Sequence, residues 1–304
     1  MHTLHKTTVV LFGEVLADIF PDRRVLGGAP FNVARHLRAF GLHPLLITRV
    51  GQDPLRDELL AAMKRFDMDT LGVQVDPAYP TGQVTVRMNQ QGHHFDIQAE
   101  QAYDFIDAEA ACAAAVATSP LMIYFGTLAQ RQETSRQTLQ ALLQRIDTTK
   151  YLDINLREPW FDASTVESSL EYADIVKMNE DELAAMATQF KLAGTTPQEQ
   201  GRALLQLFNL ERLQITCGAG GAWQLNADGL LLHTQGASAQ GTIVDTVGAG
   251  DGFAAVCITG QLLDWPPELT IARANTFAAT ICTLRGAIPP DEGFYSSFLR
   301  EWHI

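Results

Sequence analysis

The sequence predicts an α/β protein: a mainly parallel sheet with helices on both faces, joined to a small β flap. Two observations carry this. Short apolar runs alternate with amphipathic segments along most of the 304 residues, the order that builds parallel strands linked by crossover helices. Two stretches, Val15–Phe20 and Thr81–Gln98, break that rhythm with strand signals that have no crossover helix between them.

The elements follow in chain order. Thr7–Gly13 reads as the first buried strand; its apolar centre, Val9–Phe12, is too short for a signal-peptide core. Val15–Phe20 is a second short strand. Ala29–Phe40 reads as a helix closed by Gly41. Leu45–Gly51 is a strand, and Pro54–Phe66 a helix with Asp53 as N-cap and Pro54 in its first turn. In Thr81–Gln98, Val84, Val86 and Met88 alternate up to Asn89-Gln90-Gln91-Gly92, and Phe95 and Ile97 follow. That is period two around a Gly-containing turn, a hairpin pattern, and the flap is expected to be antiparallel. His93 and His94 read as solvated turn residues, since neighbours on a strand face opposite ways and make poor joint metal ligands. Leu121–Gly126, Tyr151–Asn155, Ile175–Met178 and Leu213–Cys217 are further strands. Glu133–Ile146 is a helix with Leu139, Leu142, Leu143 and Ile146 on one face. From Gly250 onward the chain is mostly helical, Phe253–Leu263 and Thr270–Leu284 being separated by Trp265-Pro266-Pro267.

Composition excludes whole classes of function. Hydrophobic residues make up 46% and charged residues 19%, which rules out bulk disorder. Acidic residues number 35 against 22 basic ones, a net charge of −13. That balance argues against a nucleic-acid face or a polybasic membrane anchor. It leaves room for a small anion held by backbone amides. No stretch approaches the ~18 apolar residues of a membrane helix. The four cysteines, Cys112, Cys217, Cys257 and Cys282, form no CxxC pair and read as buried, reduced thiols. The expectation is a soluble, cytoplasmic protein with neither nucleic acid nor membrane as partner.

The most informative stretch is Val244-Asp245-Thr246-Val247-Gly248-Ala249-Gly250-Asp251-Gly252-Phe253. A Gly-rich turn here runs into an apolar helix. Small residues let the amides at the helix start point outward together, and with the helix dipole they form an anion site. Asp251 puts a carboxylate beside it. A base next to an anion hole is what phosphoryl transfer to a hydroxyl requires. The plain structural reading is an N-cap and a tight turn. No Gly-Lys-Ser/Thr follows the glycines, so this is not a P-loop, and their spacing is not GxGxxG. The first strand leads into Glu14-Val15-Leu16 rather than a Gly-rich turn, which weighs against a dinucleotide-binding dehydrogenase.

Val244–Phe253 resembles the C-terminal signature of the PfkB (ribokinase-like) carbohydrate kinases, and Gly27-Gly28-Ala29-Pro30-Phe31-Asn32-Val33-Ala34 the N-terminal signature. The two stand in the family's order and at its usual separation, and the resemblance runs from Phe12-Gly13-Glu14 to Gly286-Ala287-Ile288-Pro289. It implies a single kinase domain over residues 1–304, with a ribokinase-like three-layer α/β/α, Rossmann-like body. The β-sheet lid is expected from about residues 14–26 and 70–104.

Further implications of the resemblance go residue by residue. Asp251 becomes the catalytic base, with Gly248, Ala249 and Gly250 forming the anion hole. Asp18, Gly27, Gly28 and Asn32 match the sugar-binding positions. Asp153-Ile154-Asn155-Leu156-Arg157 resembles the fructokinase-type Asp-x-Asn-x-Arg, placing Asn155 and Arg157 at the substrate. Thr216, Gly218, Gly221 and Asn275 match nucleotide-side positions. Asn179 and Glu182 match the family's Asn-x-x-Glu, associated with Mg²⁺ through water; the same residues also read as an ordinary helix start. A K⁺ ion near Asp245 and Val247 is implied by the resemblance alone. ATP and Mg²⁺ are then the expected cofactors, a monosaccharide the partner, and a monomer or lid-mediated homodimer the assembly.

Within the family the chain looks most like a fructokinase. The substrate loop lacks a lysine, the middle motif is Asp-x-Asn-x-Arg, and the late segment reads Cys282-Thr283-Leu284-Arg285-Gly286. Val247 stands where Thr or Ser is frequent and Ile154 where Pro is frequent, which loosens the assignment of fructose. A nucleoside, ribose or 2-keto-3-deoxygluconate kinase would share the phosphate side, and Arg157 offers a partner for a keto-acid carboxylate. A sugar sensor without turnover would have no use for the base at Asp251.

Overall fold

The structure is a computed structural model and describes residues 8–89, 92–237 and 241–304. In chain order the elements are β1 (Thr8–Phe12), β2 (Leu16–Ile19), β3 (Arg24–Gly27), α1 (Ala29–Ala39), β4 (His43–Gly51), α2 (Pro54–Arg65), β5 (Val73–Asp76), β6 (Gly82–Asn89), β7 (Gly92–Ile97), α3 (Ala108–Thr118), β8 (Met122–Gly126), α4 (Glu133–Arg145), β9 (Thr149–Asp153), α5 (Ala163–Tyr172), β10 (Ile175–Asn179), α6 (Glu180–Gln189), α7 (Pro197–Leu207), β11 (Arg212–Thr216), β12 (Gly221–Asn226), β13 (Leu231–Gln235), α8 (Ala249–Leu262), α9 (Pro267–Ile281) and α10 (Ser296–Trp302). Parallel strands and helices dominate and a second, smaller sheet is present, so the α/β class expected from the alternation is the class observed.

Where one domain was expected, the chain divides into two compact units. The first comprises Met1–Pro120, Ala129–Asp147 and Ile288–Ile304. Here β1 pairs in parallel with β4, Thr8 opposite His43 through Phe12 opposite Ile47. Val9, Val10, Leu11 and Phe12 are buried with Leu46, Ile47, Phe31 and Leu37, the continuous apolar burial that a parallel strand needs. β5 pairs in parallel with β4. The expected lid segment 70–104 therefore splits, and only its 82–97 portion joins the small sheet.

That small sheet has the order β3-β2-β6-β7. β2 pairs antiparallel with β3 and β6 antiparallel with β7, but β2 and β6 run parallel. The expectation of a purely antiparallel flap fails at that one pair, because the chain leaves β3 through α1, β4 and α2 before it returns as β6. The hairpin register sets Asn89 opposite Gly92 and Val84 opposite Ile97, and places His93 and His94 on β7 rather than in the turn. Gln90 and Gln91 of the expected turn, like Thr7 of the first strand, lie outside the described residues. Val84, Val86 and Ile97 are buried, so these apolar positions are covered within the chain.

The second unit comprises Leu121–Leu128 and Thr148–Ala287. Its strand order is β13-β12-β11-β10-β9-β8, with β8 to β11 parallel and β12 and β13 added antiparallel at the edge. This edge meander, which lies before the helical stretch that begins at Gly250, was not among the strands expected from the sequence. Gly221 enforces it: at φ 100° its backbone passes so close to β13 that a Cβ would lie 2.1 Å from the Thr234 carbonyl. Among the described residues no helix is long and apolar enough to cross a membrane.

Asp53 fastens β6 to the first unit. One carboxylate oxygen caps α2 by accepting from the Arg56 amide at 3.0 Å and also accepts from the Thr81 hydroxyl at 2.9 Å; the other accepts from the Thr81 amide at 2.7 Å. Burial pushes this carboxyl up, yet the hydrogen bonds from Thr81 and Arg56 outweigh it and hold the pKa below its ordinary 3.8. Asp53→Ala should cost about 2 kcal/mol, combining a lost cap with unpaired Thr81 groups, read as a lower urea midpoint. The group's folded pKa is depressed. Its contribution is therefore complete above the unfolded pKa and disappears as pH falls through the folded value. The stability difference between wild type and variant should shrink on acidification in that window.

Candidate active site

In the second unit the candidate residues gather at the C-terminal ends of the parallel strands, the edge where open α/β sheets place ligands. Asp153 ends β9, Asn179 ends β10 and Thr216 ends β11. The Gly-rich stretch enters α8 one turn earlier than the sequence suggests: the helix begins at Ala249, with Gly248 as its N-cap at φ 80° and ψ −5°. Two facts reserve position 248 for glycine. The left-handed conformation disfavours a side chain, and a Cβ there would lie 2.2 Å from the Ala287 Cβ. The Gly252 amide donates to the Gly248 carbonyl at 2.9 Å. The amides of Gly250 and Asp251 therefore precede the first i→i−4 bond and keep the donor character of a helix N-terminus. Asp251 stands in that first turn, half-buried.

Beneath this turn lies a group that was not among the expected site residues. Lys177, in the middle of β10, is 6% exposed. Its ammonium lies 3.0 and 3.1 Å from the two carboxylate oxygens of Asp153, the residue opposite it on β9. The Tyr124 hydroxyl donates to Asp153 Oδ2 at 3.2 Å. A Cβ on Gly250 would come within 2.8 Å of Lys177 Nζ, so the ammonium is packed directly against the anion-site backbone. Burial works against the charge on Lys177, but Asp153, then Glu182 and Asp251, outweigh it and hold its pKa above the usual lysine value. The sequence signal was a lysine inside the apolar run Ile175-Val176-Lys177-Met178.

The other expected positions of this unit divide into two kinds. Asn155 has φ 41° and is half-buried just past β9, and Arg157 is exposed two residues on. Thr216 and Gly218 form an accessible loop, with Gly218 at φ 52° and open space where a side chain would go. Burial pushes the intervening Cys217 thiol up to about 12, so it stays protonated and inert. By contrast, several side chains are engaged structurally. Asn275 donates to the Gln235 carbonyl at 2.8 Å. Asp245 accepts from the Val247 amide at 3.0 Å and the Gly286 amide at 3.1 Å, and Val247 is exposed. Asn179 and Glu182 form a capping box: Asn179 Oδ1 accepts from the Glu182 amide at 2.8 Å and Glu182 Oε2 accepts from the Asn179 amide at 2.8 Å. Glu182 Oε1 accepts from the Leu156 amide at 2.8 Å. Burial raises the Glu182 pKa, and Lys177 and these amides reverse only part of that.

This bears on a divalent cation. Both Glu182 oxygens already serve backbone amides, and among the described residues no group of three or more His, Cys, Asp or Glu side chains could hold a metal. Among the described residues there is thus no direct side-chain cage for a divalent cation.

In the first unit, Asp18 lies on β2 and its Oδ2 stands 3.7 Å from where a Gly27 Cβ would be, so carboxylate and glycine loop are neighbours. Gly28, at φ 104°, passes so close to β1's exit that a Cβ would meet the Glu14 carbonyl at 2.6 Å. Asn32 is buried in the first turn of α1. Glu14, quoted in the first motif but given no role, is buried and accepts from the Ala29 amide at 3.2 Å, fixing the start of α1.

Comparison with known proteins shows the family to which this chain belongs. Residues 8–292 match the model of the pfkB family carbohydrate kinases, and the chain belongs to that family. It is accordingly a sugar kinase, a phosphotransferase with a hydroxyl as acceptor. A fructokinase of Klebsiella pneumoniae is 28% identical over 300 residues, covering 91% of this chain and 94% of that protein. A double mutant of the Vibrio cholerae fructokinase, solved with fructose, ADP and a potassium ion, superposes with a TM-score of 0.77 at 23% identity, covering 97% of this chain and 98% of its own. The 2-dehydro-3-deoxygluconokinase of Thermotoga maritima gives a TM-score of 0.80 at 17% identity over 97% and 99% of the two chains. The last two show the shared fold.

Gly248→Ala tests the turn. Left-handed strain and the Ala287 clash together should destabilise the protein by about 2 kcal/mol or more. The variant should show a lower Tm and an ADP-release rate near background.

Proposed function

We propose that this chain transfers the γ-phosphoryl group of ATP to the primary hydroxyl of D-fructose, giving fructose 6-phosphate. The observation that carries the reading is Asp251 in the first turn of α8, where its own amide and that of Gly250 precede the helix's first internal bond. Asp251 removes the proton from the attacking hydroxyl. The amides of Gly250 and Asp251 receive the charge on the transferred phosphoryl, while that of Ala249, expected to join them, donates to the Thr246 carbonyl at 3.3 Å. Asp18 and Asn32 hold sugar hydroxyls, a carboxylate accepting from two at once and an amide both donating and accepting. Asn155 and Arg157 complete sugar recognition, and the Thr216–Gly221 loop with Asn275 lines the nucleotide. Mg²⁺ arrives on the nucleotide's own phosphates. Potassium beside Asp245 and Val247 is part of the same reading, supported by the ion in the Vibrio cholerae fructokinase. Fructose is favoured by the Klebsiella pneumoniae relative and by the Asp-x-Asn-x-Arg segment.

The test is ADP release with ATP and Mg²⁺ against fructose, ribose, 2-keto-3-deoxygluconate, adenosine and inosine. Turnover confined to fructose is expected. Turnover with 2-keto-3-deoxygluconate instead would overturn the choice of sugar and make exposed Arg157 its carboxylate partner. Asp251→Asn should lower kcat by a factor of about 10² to 10⁴ while sugar affinity is largely kept. Near-normal turnover in that variant would remove Asp251 as the base.

A further inference from the structure

The roles above leave unused an ammonium that packs against the anion-binding turn. We propose that Lys177 is a positioning residue of the phosphoryl-transfer reaction: its buried ammonium, pinned under Gly250 by Asp153, supplies the fixed positive charge of the turn and acts through Gly250 and Asp251 on the transferred group. The proposal rests on the reading of Gly248–Asp251 as the phosphoryl-transfer site.

Three observations support it. The geometry is tight, since Nζ occupies the space a Gly250 side chain would need and is held there by both oxygens of Asp153. The local charge balance requires a cation. The carboxylates that act on Lys177 are Asp153, Glu182 and Asp251, so without the ammonium a phosphate would approach three like charges. Finally, stability gives little reason to keep such a pair. Replacing a buried ion pair with apolar or neutral groups of similar size is often neutral or stabilising, yet here a lysine interrupts an otherwise apolar strand.

The rival is that Lys177 serves only to balance Asp153. Lys177→Met alone does not separate the two, because it strands a buried carboxylate, so a loss of folding and a loss of positive charge would read alike. Lys177→Met combined with Asp153→Asn removes both charges and keeps the Tyr124 hydroxyl partnered. Gly250→Ala leaves both charges in place and pushes the ammonium aside. Each is compared with wild type by calorimetric titration of ADP alone and of ADP with aluminium fluoride, a mimic of the transferring phosphoryl, with fructose and Mg²⁺ present. The melting temperature is followed in parallel.

For the double variant we expect a near-native melting temperature and ADP affinity within about 3-fold of wild type. Binding of ADP with aluminium fluoride should weaken about 100-fold, the scale of losing one oxyanion-stabilising group. Gly250→Ala should weaken it in the same direction. If the double variant folds and binds the mimic as wild type does, Lys177 only balances Asp153 and the proposal is overturned. If the double variant does not fold, Gly250→Ala decides in the same way. If wild type itself shows no gain from aluminium fluoride, the underlying reading of the turn or of fructose fails, and this inference falls with it.

Discussion

Lys177 stands on a strand whose neighbours Val176 and Met178 are fully buried, and its ammonium keeps its charge because Asp153 faces it from the adjacent strand at 3.0 Å. Removing one partner of such a pair typically costs about 3–5 kcal/mol, since the other is left charged and dry. Much of the second unit's polar architecture is arranged around that fact. Tyr124 donates to Asp153 from β8, Gly250 yields the space above Nζ, and Glu182 lies near enough to help hold the charge while its own oxygens tie Leu156 and Asn179 to α6. Three consecutive parallel strands, β8, β9 and β10, are thereby linked to the start of α8 through one buried cation.

Glycine supplies the complementary constraint wherever backbone must approach backbone. Gly248 turns left-handed against Ala287, Gly221 lets β12 run against β13, and Gly28 brings the turn before α1 onto the Glu14 carbonyl. In each case the missing Cβ would fall well inside van der Waals contact, so the close approach is decided by sterics rather than by chain flexibility. Loops at strand ends are then secured by carboxylates used as staples. Asp53 holds Thr81, Asp245 holds Gly286 and Glu14 holds Ala29. Each such carboxylate spends lone pairs on backbone amides and so fixes the loop's position.

What was legible in the sequence was what local chemistry fixes. The apolar runs at Thr8–Phe12, Met122–Gly126 and Ile175–Asn179 became parallel strands, because a strand covered on both faces leaves an unbroken hydrophobic record. Helix ends were readable where a cap or proline stood, as at Asp53 and Pro54. Less readable were β12 and β13, whose pairing depends on Gly221 meeting residues 13 and 14 positions later, and the parallel pairing of β2 with β6 across some 65 residues of chain. Nonlocal pairings of this sort leave no periodic trace.

The candidate site divides along the same line. The residue types at Gly248–Asp251 and Gly27–Asn32 were set by sequence alone, since an anion turn needs small residues and a base, and a close-approach loop needs glycine. Which carboxylates are tied to backbone amides was decided only in three dimensions. Asp251 and Asp245 are only six residues apart, yet one enters a helix's first turn while the other is stapled to Gly286. Lys177 shows the limit most plainly. In the sequence it is a charge misplaced in a strand; only the packing of β9, β10 and α8 reveals the partner that keeps it charged and the turn it underlies.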